Sequence, residues 1–209
     1  MQEQINPHFL YNTLDTIVWL IESDSTDEAV DMVVSLSQFF RLVLSHGAEY
    51  ISIREEEQHV RSYLKIQQAR YHDILDYEID IDSAIYPYKI LKLTLQPLVE
   101  NALYHGIKYK RAMGKITITG RMQERRIVLT VQDNGVGMEP EKLAHLRREI
   151  ERPCKDTEGG FGLANVNERI RMYFGDYYGM QIDSVQGQGT TVTVSIPALQ
   201  TPPKDERMA

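Results

Sequence analysis

The run RIVLTVQDNGVGM, residues 126–138, is the place to begin. RIVLTVQD reads as a strand paired with KITITGRM (115–122) through a tight turn at Gln123-Glu124-Arg125. Directly after that strand, Gly135 and Gly137 permit a backbone bend that residues with a Cβ resist, and such a bend lets a flat base approach the main chain. Asp133, at the strand end, can accept a hydrogen bond from an exocyclic amine such as that of adenine. A site built to satisfy such an amine discriminates strongly against rings lacking it. Alone, the run is also compatible with a plain turn, because Asp-Asn-Gly is a common turn sequence.

Three further stretches lie around it in a fixed order. LVENALYHG (98–106) falls on a helix over about 94–107 with Pro97 in its first turn. There Asn101 and His105 are four apart and share a face, with Glu100 beside them. Asn101 offers a neutral oxygen ligand suited to Mg²⁺ that keeps most of its waters and also holds phosphate oxygens. Glu100 can position or deprotonate a water or a nucleophile. GGFGLANVNERI (159–170) puts Gly159, Gly160 and Gly162 at a helix N-terminus, where free amides and the helix dipole make an anion site. It is not a P-loop, since no Lys-Ser/Thr pair follows the glycines. GQGTT (187–191) places Thr190 at a strand start, its hydroxyl within reach of a base edge. Residues 139–158 are expected to form a mobile lid over the nucleotide, although EPEKLAHLRREIE within them reads as helical.

The remaining elements frame these motifs. Apolar residues at helical spacing (Ile5, Phe9, Leu10, Leu14, Ile17, Val18, Ile21) give a helix over 5–22. A second helix runs from about 27 to 45, opened by a capping box of Ser25 and Glu28 and ended at His46-Gly47. Joined by a short polar turn, the two read as an antiparallel hairpin. Two helices alone bury too little apolar surface, so a second copy is the natural partner. Ser52 and Glu55 form another capping box, opening a helix to about Tyr71 that can belong to either side of a boundary near 47–52. LDYEIDI (75–81) alternates as a half-buried strand does. GLANVNERIRMYFG is a helix closed by Gly175, and MQIDSV and TTVTVSI are strands. The expected organisation is α+β: a hairpin over 1–50, an α/β sandwich with a mixed sheet over 51–199, and a frayed tail over 200–209.

The 209 residues carry a net charge of −7 and are 42% hydrophobic, enough for a real core. An acidic balance argues against nucleic acid as a partner, which normally meets a basic patch. The single cysteine, Cys154, excludes an internal disulfide, fits a reducing compartment and reads as a bystander. No apolar run approaches the ~20 residues needed to span a bilayer, so no membrane contact is expected of this stretch. The start only seven residues before His8 suggests a piece of something longer.

Taken together, LVENALYHG, DNGVGM and GGFGLANVNERI resemble the Bergerat or GHKL ATP-binding fold shared by gyrase-type ATPases, MutL, heat-shock chaperones and histidine kinases. The resemblance covers about 75–197 and implies ATP and Mg²⁺ as cofactors. Glu100 and Asn101 match its N box, with Asn101 expected on the metal and His105 and Gly106 closing the motif on the nucleotide. Asp133 matches the adenine-reading aspartate, flanked by Gly135 and Gly137; Gly160, Gly162 and Leu163 match the phosphate-binding turn. NPHFLYN, followed by a helical hairpin and this domain, resembles sensor histidine kinases of the LytS/YesM-like group. That resemblance implies His8 as phosphoacceptor on the solvent side of its helix, a homodimeric four-helix bundle, and a response-regulator receiver domain as partner. It also implies membrane-spanning segments ahead of this stretch in a full-length protein at the cell membrane. The chemistry fits: unperturbed imidazole titrates near ~6.5, so a neutral nucleophilic nitrogen exists at neutral pH.

Two departures stand out. Most histidine kinases place an acid directly after the phosphoacceptor; Phe9 stands there, as in the LytS/YesM-like group, which leaves Glu100 or a water to take the proton. Asn12, one turn after His8, shares its face and is expected to orient the imidazole or a hydrolytic water. Leu91-Lys92 occupy the region where the group often carries two prolines, so the entry to the LQPLVEN helix is expected to differ. The competing readings are an ATPase that uses hydrolysis for a conformational clamp, a non-catalytic nucleotide-binding scaffold, and a serine-directed anti-sigma-type kinase, which would lack the His8 hairpin.

Overall fold

The computed structural model describes residues 7–44, 49–151 and 162–202. Helix α1 (Pro7–Glu22) and α2 (Thr26–Val43) form the expected antiparallel pair. Their link is tight. Asp24 adopts a left-handed φ of 59°, and Ser25 N–H reaches back to Leu20 carbonyl at 2.9 Å, a Schellman-type closure. That closure leaves Ser25 at φ −85°, ψ 54° with no side-chain capping bond, so the capping box expected with Glu28 does not form. The second expected box does form. Ser52, extended at φ −73°, ψ 153°, accepts from Glu55 N–H, and Glu55 carboxylate accepts from Ser52 N–H at 2.7 Å. It opens α3 (Ile53–Arg70).

Strands β2 (Leu75–Ile81), β4 (Gly114–Gln123), β5 (Arg126–Asp133), β6 (Gly179–Val185) and β7 (Gly189–Pro197) make one mixed sheet in the order β2-β4-β5-β7-β6. β2 runs parallel to β4; every other pair is antiparallel. Burial alternates along the inner strands: Ile127, Leu129, Val131 and Asp133 of β5 point inward, as do Thr190, Val192, Val194 and Ile196 of β7. One face therefore packs under helices, giving a two-layer sandwich. The edge strand β2 exposes Asp76, Glu78 and Asp80, two of them paired to β4 through Lys115 and Arg121.

A second, two-stranded sheet pairs β1 (Tyr50–Ser52) with β3 (Lys89–Leu91), which the sequence did not suggest. Each strand is three residues long, too short for alternation to be read. The helix expected over 94–107 is also not uniform. It is α-helical as α4 (Leu95–Asn101) and then widens to a π-helical stretch, Ala102–Ile107. The final helices are α5 (Pro140–Glu151) and α6 (Leu163–Phe174), the latter ended at Gly175.

One continuous core runs from Phe9 of α1 and Phe39 of α2 through α3 to the sheet. Helix α3 thus touches both the hairpin and the sandwich. A separate small cluster, Ile17, Leu20, Ala29 and Met32, holds the far end of the hairpin. The expected helix end at His46-Gly47, together with Ile5, Cys154, Gly159, Gly160 and most of the tail, lies outside the described residues.

Candidate nucleotide site and phosphoacceptor helix

Asp133 is the last residue of β5 and the last in phase with its buried face, so the strand's own alternation carries a carboxylate inside; it is 3% exposed. Burial raises its pKa, opposed by the main-chain amides of Gly135 and Thr190. Gly135 N–H donates to Oδ1 at 2.8 Å. The register sets Asp133 opposite Thr190, and the main-chain amide of Thr190 is the group that serves the carboxylate. The Thr190 hydroxyl is occupied with Ser184 Oγ at 2.9 Å. Ser184, which the sequence did not single out, also accepts from Met138 N–H and donates to the Gly189 carbonyl, both at 2.9 Å. It pins the loop after β5 to the β6–β7 turn.

The glycines here act mainly by closeness. A Cβ at Gly106 would lie 2.5 Å from Asp133 Oδ1, and one at Gly135 would lie 2.4 Å from the Gly106 carbonyl carbon. The π-helical stretch and the loop after β5 are thus in backbone-to-backbone contact beside the aspartate. Only Gly137, with φ 63°, has the bend expected of both glycines of DNGVGM. Its missing Cβ also leaves room for the Val185 carbonyl, 2.0 Å from where a Cβ would stand.

Asn101 sits half-buried at the end of α4, next to Glu100 and one residue before the helix widens; His105 is exposed. Burial raises the Glu100 pKa, opposed by a hydrogen bond from Gln96 Nε2 to Glu100 Oε1 at 2.8 Å. Gly162 is the N-cap of α6 without a side-chain cap, and its carbonyl receives Asn165 and Val166 N–H; Leu163 is buried behind it. The helix terminus is thus built from backbone alone, as an anion cradle requires.

The lid expected over 139–158 is corrected in its first part. Helix α5 is docked: Leu143 and Ile150 are buried, Arg147 donates to the Ile182 carbonyl at 2.8 Å and to Asp183, and Asn167 Nδ2 donates to the Ile150 carbonyl at 2.6 Å. Its apolar face at helical spacing and two polar anchors hold it on α6 and β6.

On α1, His8 is exposed while Phe9 points into the core. Asn12 Nδ2 lies 2.8 Å from His8 Nδ1 and 3.2 Å from Nε2, the contact expected from their spacing. Phe9 packs against Phe39 at a tilt of 49° (4.9 Å between centroids) and stacks on Tyr63 of α3 (5.4 Å).

Sequence reasoning also missed Glu56. Fully buried on α3, it accepts from Leu93 N–H (3.0 Å) and Leu95 N–H (2.7 Å), and Leu93 holds a left-handed φ of 59°. Arg169 of α6 donates to the Lys92 carbonyl at 3.0 Å, and Lys92 Nζ to the Val43 carbonyl at 3.2 Å. The non-proline entry to α4 is thus gripped from α2, α3 and α6. Hidden in the run Glu55-Glu56-Glu57, Glu56 carries no local signature.

Comparison with known proteins gives the same picture. Residues 90–200 match the family model described as histidine kinase-, DNA gyrase B-, and HSP90-like ATPase, and residues 1–75 match a histidine kinase model. The chain is 37% identical over 198 residues to the sensor histidine kinase YesM of Bacillus subtilis, covering 94% of this chain and 32% of that protein. It is 38% identical to the sensor protein LytS of Staphylococcus saprophyticus, covering 94% of this chain and 33% of that protein. It therefore spans about a third of the length of the curated relatives it matches. Among solved structures, the catalytic domain of histidine kinase ThkA aligns with TM-score 0.53 at 17% identity, covering 74% of this chain and 97% of that one. ThkA in complex with the response regulator TrrA aligns with TM-score 0.52 at 17% identity, over 93% of this chain and 60% of that one. On these matches, this chain belongs to the histidine kinase-, DNA gyrase B- and HSP90-like ATPases, and among them to the sensor histidine kinases of the LytS/YesM-like group.

Proposed function

We propose that this chain is the catalytic portion of a two-component sensor kinase that binds Mg-ATP, phosphorylates His8 and passes the phosphoryl group to an aspartate of a response regulator. The observation that carries the reading is the buried Asp133 carboxylate, with Gly106 and Gly135 packed against it and no side chain on either. Its remaining acceptor capacity suits the exocyclic amine of a flat base, which the side-chain-free glycines leave room to approach. Thr190 and Gly135 amides keep it oriented, and Gly162, with Gly160 before it in sequence, offers main-chain amides to the phosphates.

The residues fit magnesium. Among the described residues there is no group of three His, Cys, Asp or Glu that could hold a metal. Asn101 offers one neutral oxygen, which suits an ion held chiefly by phosphates and water. When bound, the ion would neutralise charge on the phosphate oxygens. The transfer itself joins an unprotonated imidazole nitrogen of His8 to the γ-phosphorus. The bond to the bridging oxygen breaks, ADP leaves, and the imidazole proton passes to Glu100 or a water. Burial, by raising the pKa of Glu100, makes it a better acceptor than an exposed carboxylate. Asn12 orients the ring.

The hairpin supports a homodimer. Leu14, Val18 and Ile21 on α1 and Val30, Val33 and Val34 on α2 are large, apolar and exposed, although each helix already buries another face. Helices apolar on two faces call for a second partner, and a second hairpin completes a four-helix bundle. No helix among the described residues is long and apolar enough to cross a membrane. Membrane anchoring of the full-length protein rests on its likeness to longer sensor kinases.

Incubation with γ-labelled ATP should give an acid-labile, alkali-stable label that is absent in His8→Ala. Label retained in that variant refutes the assignment. Steady hydrolysis without stable label points instead to a conformational-clamp ATPase, and absence of ATP binding to a scaffold.

A further inference from the structure

Glu100 is held by a chain of contacts that begins at the hairpin. Gln96 Nε2 donates to Glu100 Oε1 at 2.8 Å, and Gln96 Oε1 meets His59 Nε2 at 2.6 Å. Gln96 and Glu100 are one turn apart on α4, whereas His59 comes from α3, buried at 2% exposure. The His59 ring stacks on Phe39 of α2, 4.6 Å between centroids and 16° between planes, and Phe39 packs on Phe9, the neighbour of His8 in sequence. The direction of the chain follows from chemistry. An ionised carboxylate only accepts, so Gln96 must turn its NH₂ to Glu100. Its carbonyl then faces His59, and His59 Nε2 must carry the proton that it donates. One amide, read from both ends, thus has a single allowed orientation.

We infer that His59 and Gln96 are positioning residues for Glu100, coupling the seating of the phosphoacceptor hairpin on α3 to the direction in which Glu100 presents its reactive oxygen. With Oε1 tied to Gln96, Oε2 is the oxygen that takes the proton. A shift of the hairpin that moves Phe39 moves the ring stacked on it, and with it the far end of the Gln96 amide. Positioning errors on the order of 1 Å cost about 100-fold in rate, so a relay of this length is enough to matter. This inference rests on the reading of Glu100 as a proton acceptor.

The test uses the full-length kinase. Gln96→Leu removes both hydrogen bonds at similar volume; His59→Phe keeps a ring against Phe39 and removes only the donor. In each, kcat for autophosphorylation should fall about tenfold or more while ATP affinity and KM stay within about twofold. In a Glu100→Gln background, Gln96→Leu should lower kcat no further, because the group it positions is already gone. Unchanged kcat in both variants, or a parallel loss of ATP affinity, overturns the relay while a slow Glu100→Gln leaves the role of Glu100 standing. Full rate in Glu100→Gln instead removes that role, and the relay with it. Should Gln96→Leu not fold, His59→Phe carries the same comparison.

Discussion

At the residue scale the site is a matter of absent atoms. Gly106 has no side chain because the Asp133 carboxylate occupies the space, with Oδ1 2.5 Å from where a Cβ would be. Gly106→Ala should push the carboxylate off its two amide donors, weaken ATP binding tenfold or more in calorimetric titration, and cost about 1–3 kcal/mol of stability. Asp133→Asn keeps the shape but presents a donor where an acceptor is needed, and should lose ATP binding with little change in melting temperature. Asn12→Ala should slow autophosphorylation while leaving ATP affinity unchanged, since the Asn12 side chain meets the His8 ring. Asp133 was legible because it lies two residues beyond Val131 on a strand whose inner face is otherwise apolar. Ser184 was not: a lone serine in a strand has no pattern, and its importance comes from a loop brought to it by tertiary folding. Gly135 was legible as a requirement but not in its reason, because nothing in DNGVGM reveals that another backbone will lie against it.

At the element scale, like sequence signals met unlike surroundings. Ser25 and Ser52 are each followed three residues later by glutamate, yet only Ser52 caps. Ser52→Ala should cost about 1 kcal/mol by denaturant unfolding and Ser25→Ala close to nothing. The five principal strands and six helices were readable from periodicity and capping; β1, β3 and the π-helical widening were not, because each depends on packing between segments far apart in sequence. The entry to α4 rests on Glu56, whose pKa burial pushes up to about 7 from 4.5 despite its main-chain donors. The folded chain then holds a proton that the unfolded chain has released, so this contribution is full below about pH 4.5 and fades as pH rises through 7. It is worth at most about 3 kcal/mol at 1.36 kcal/mol per unit. Glu100 and Asp133 shift the same way. Melting temperatures should therefore fall from pH 5.5 to pH 8, and Glu56→Gln should flatten that slope.

At the scale of the whole molecule, the hairpin carries two apolar faces and the sandwich one. The inward face of the hairpin joins α3 through Phe9 and Phe39; the outward face leaves Val18 53% and Val33 50% exposed, the surface on which the proposed dimer would form. Introducing charge there, Val18→Glu with Val33→Glu, should yield monomers in sedimentation velocity while nucleotide binding is retained. That the hairpin's helices are apolar at helical spacing was readable in the sequence, but which of their stripes would face α3 was not, since apolar residues line both.

The acidic rim of β2 has a consequence for how far such association can go. A sheet margin carrying Asp76, Glu78 and Asp80, the last two in ion pairs with Lys115 and Arg121, offers another chain hydrated charge instead of an apolar strip, so lateral growth into fibrils is discouraged on that side. Concentrating the protein should thus drive pairing through the helices rather than open-ended polymers, and neutralising those three acids should be what makes solutions gel or cloud.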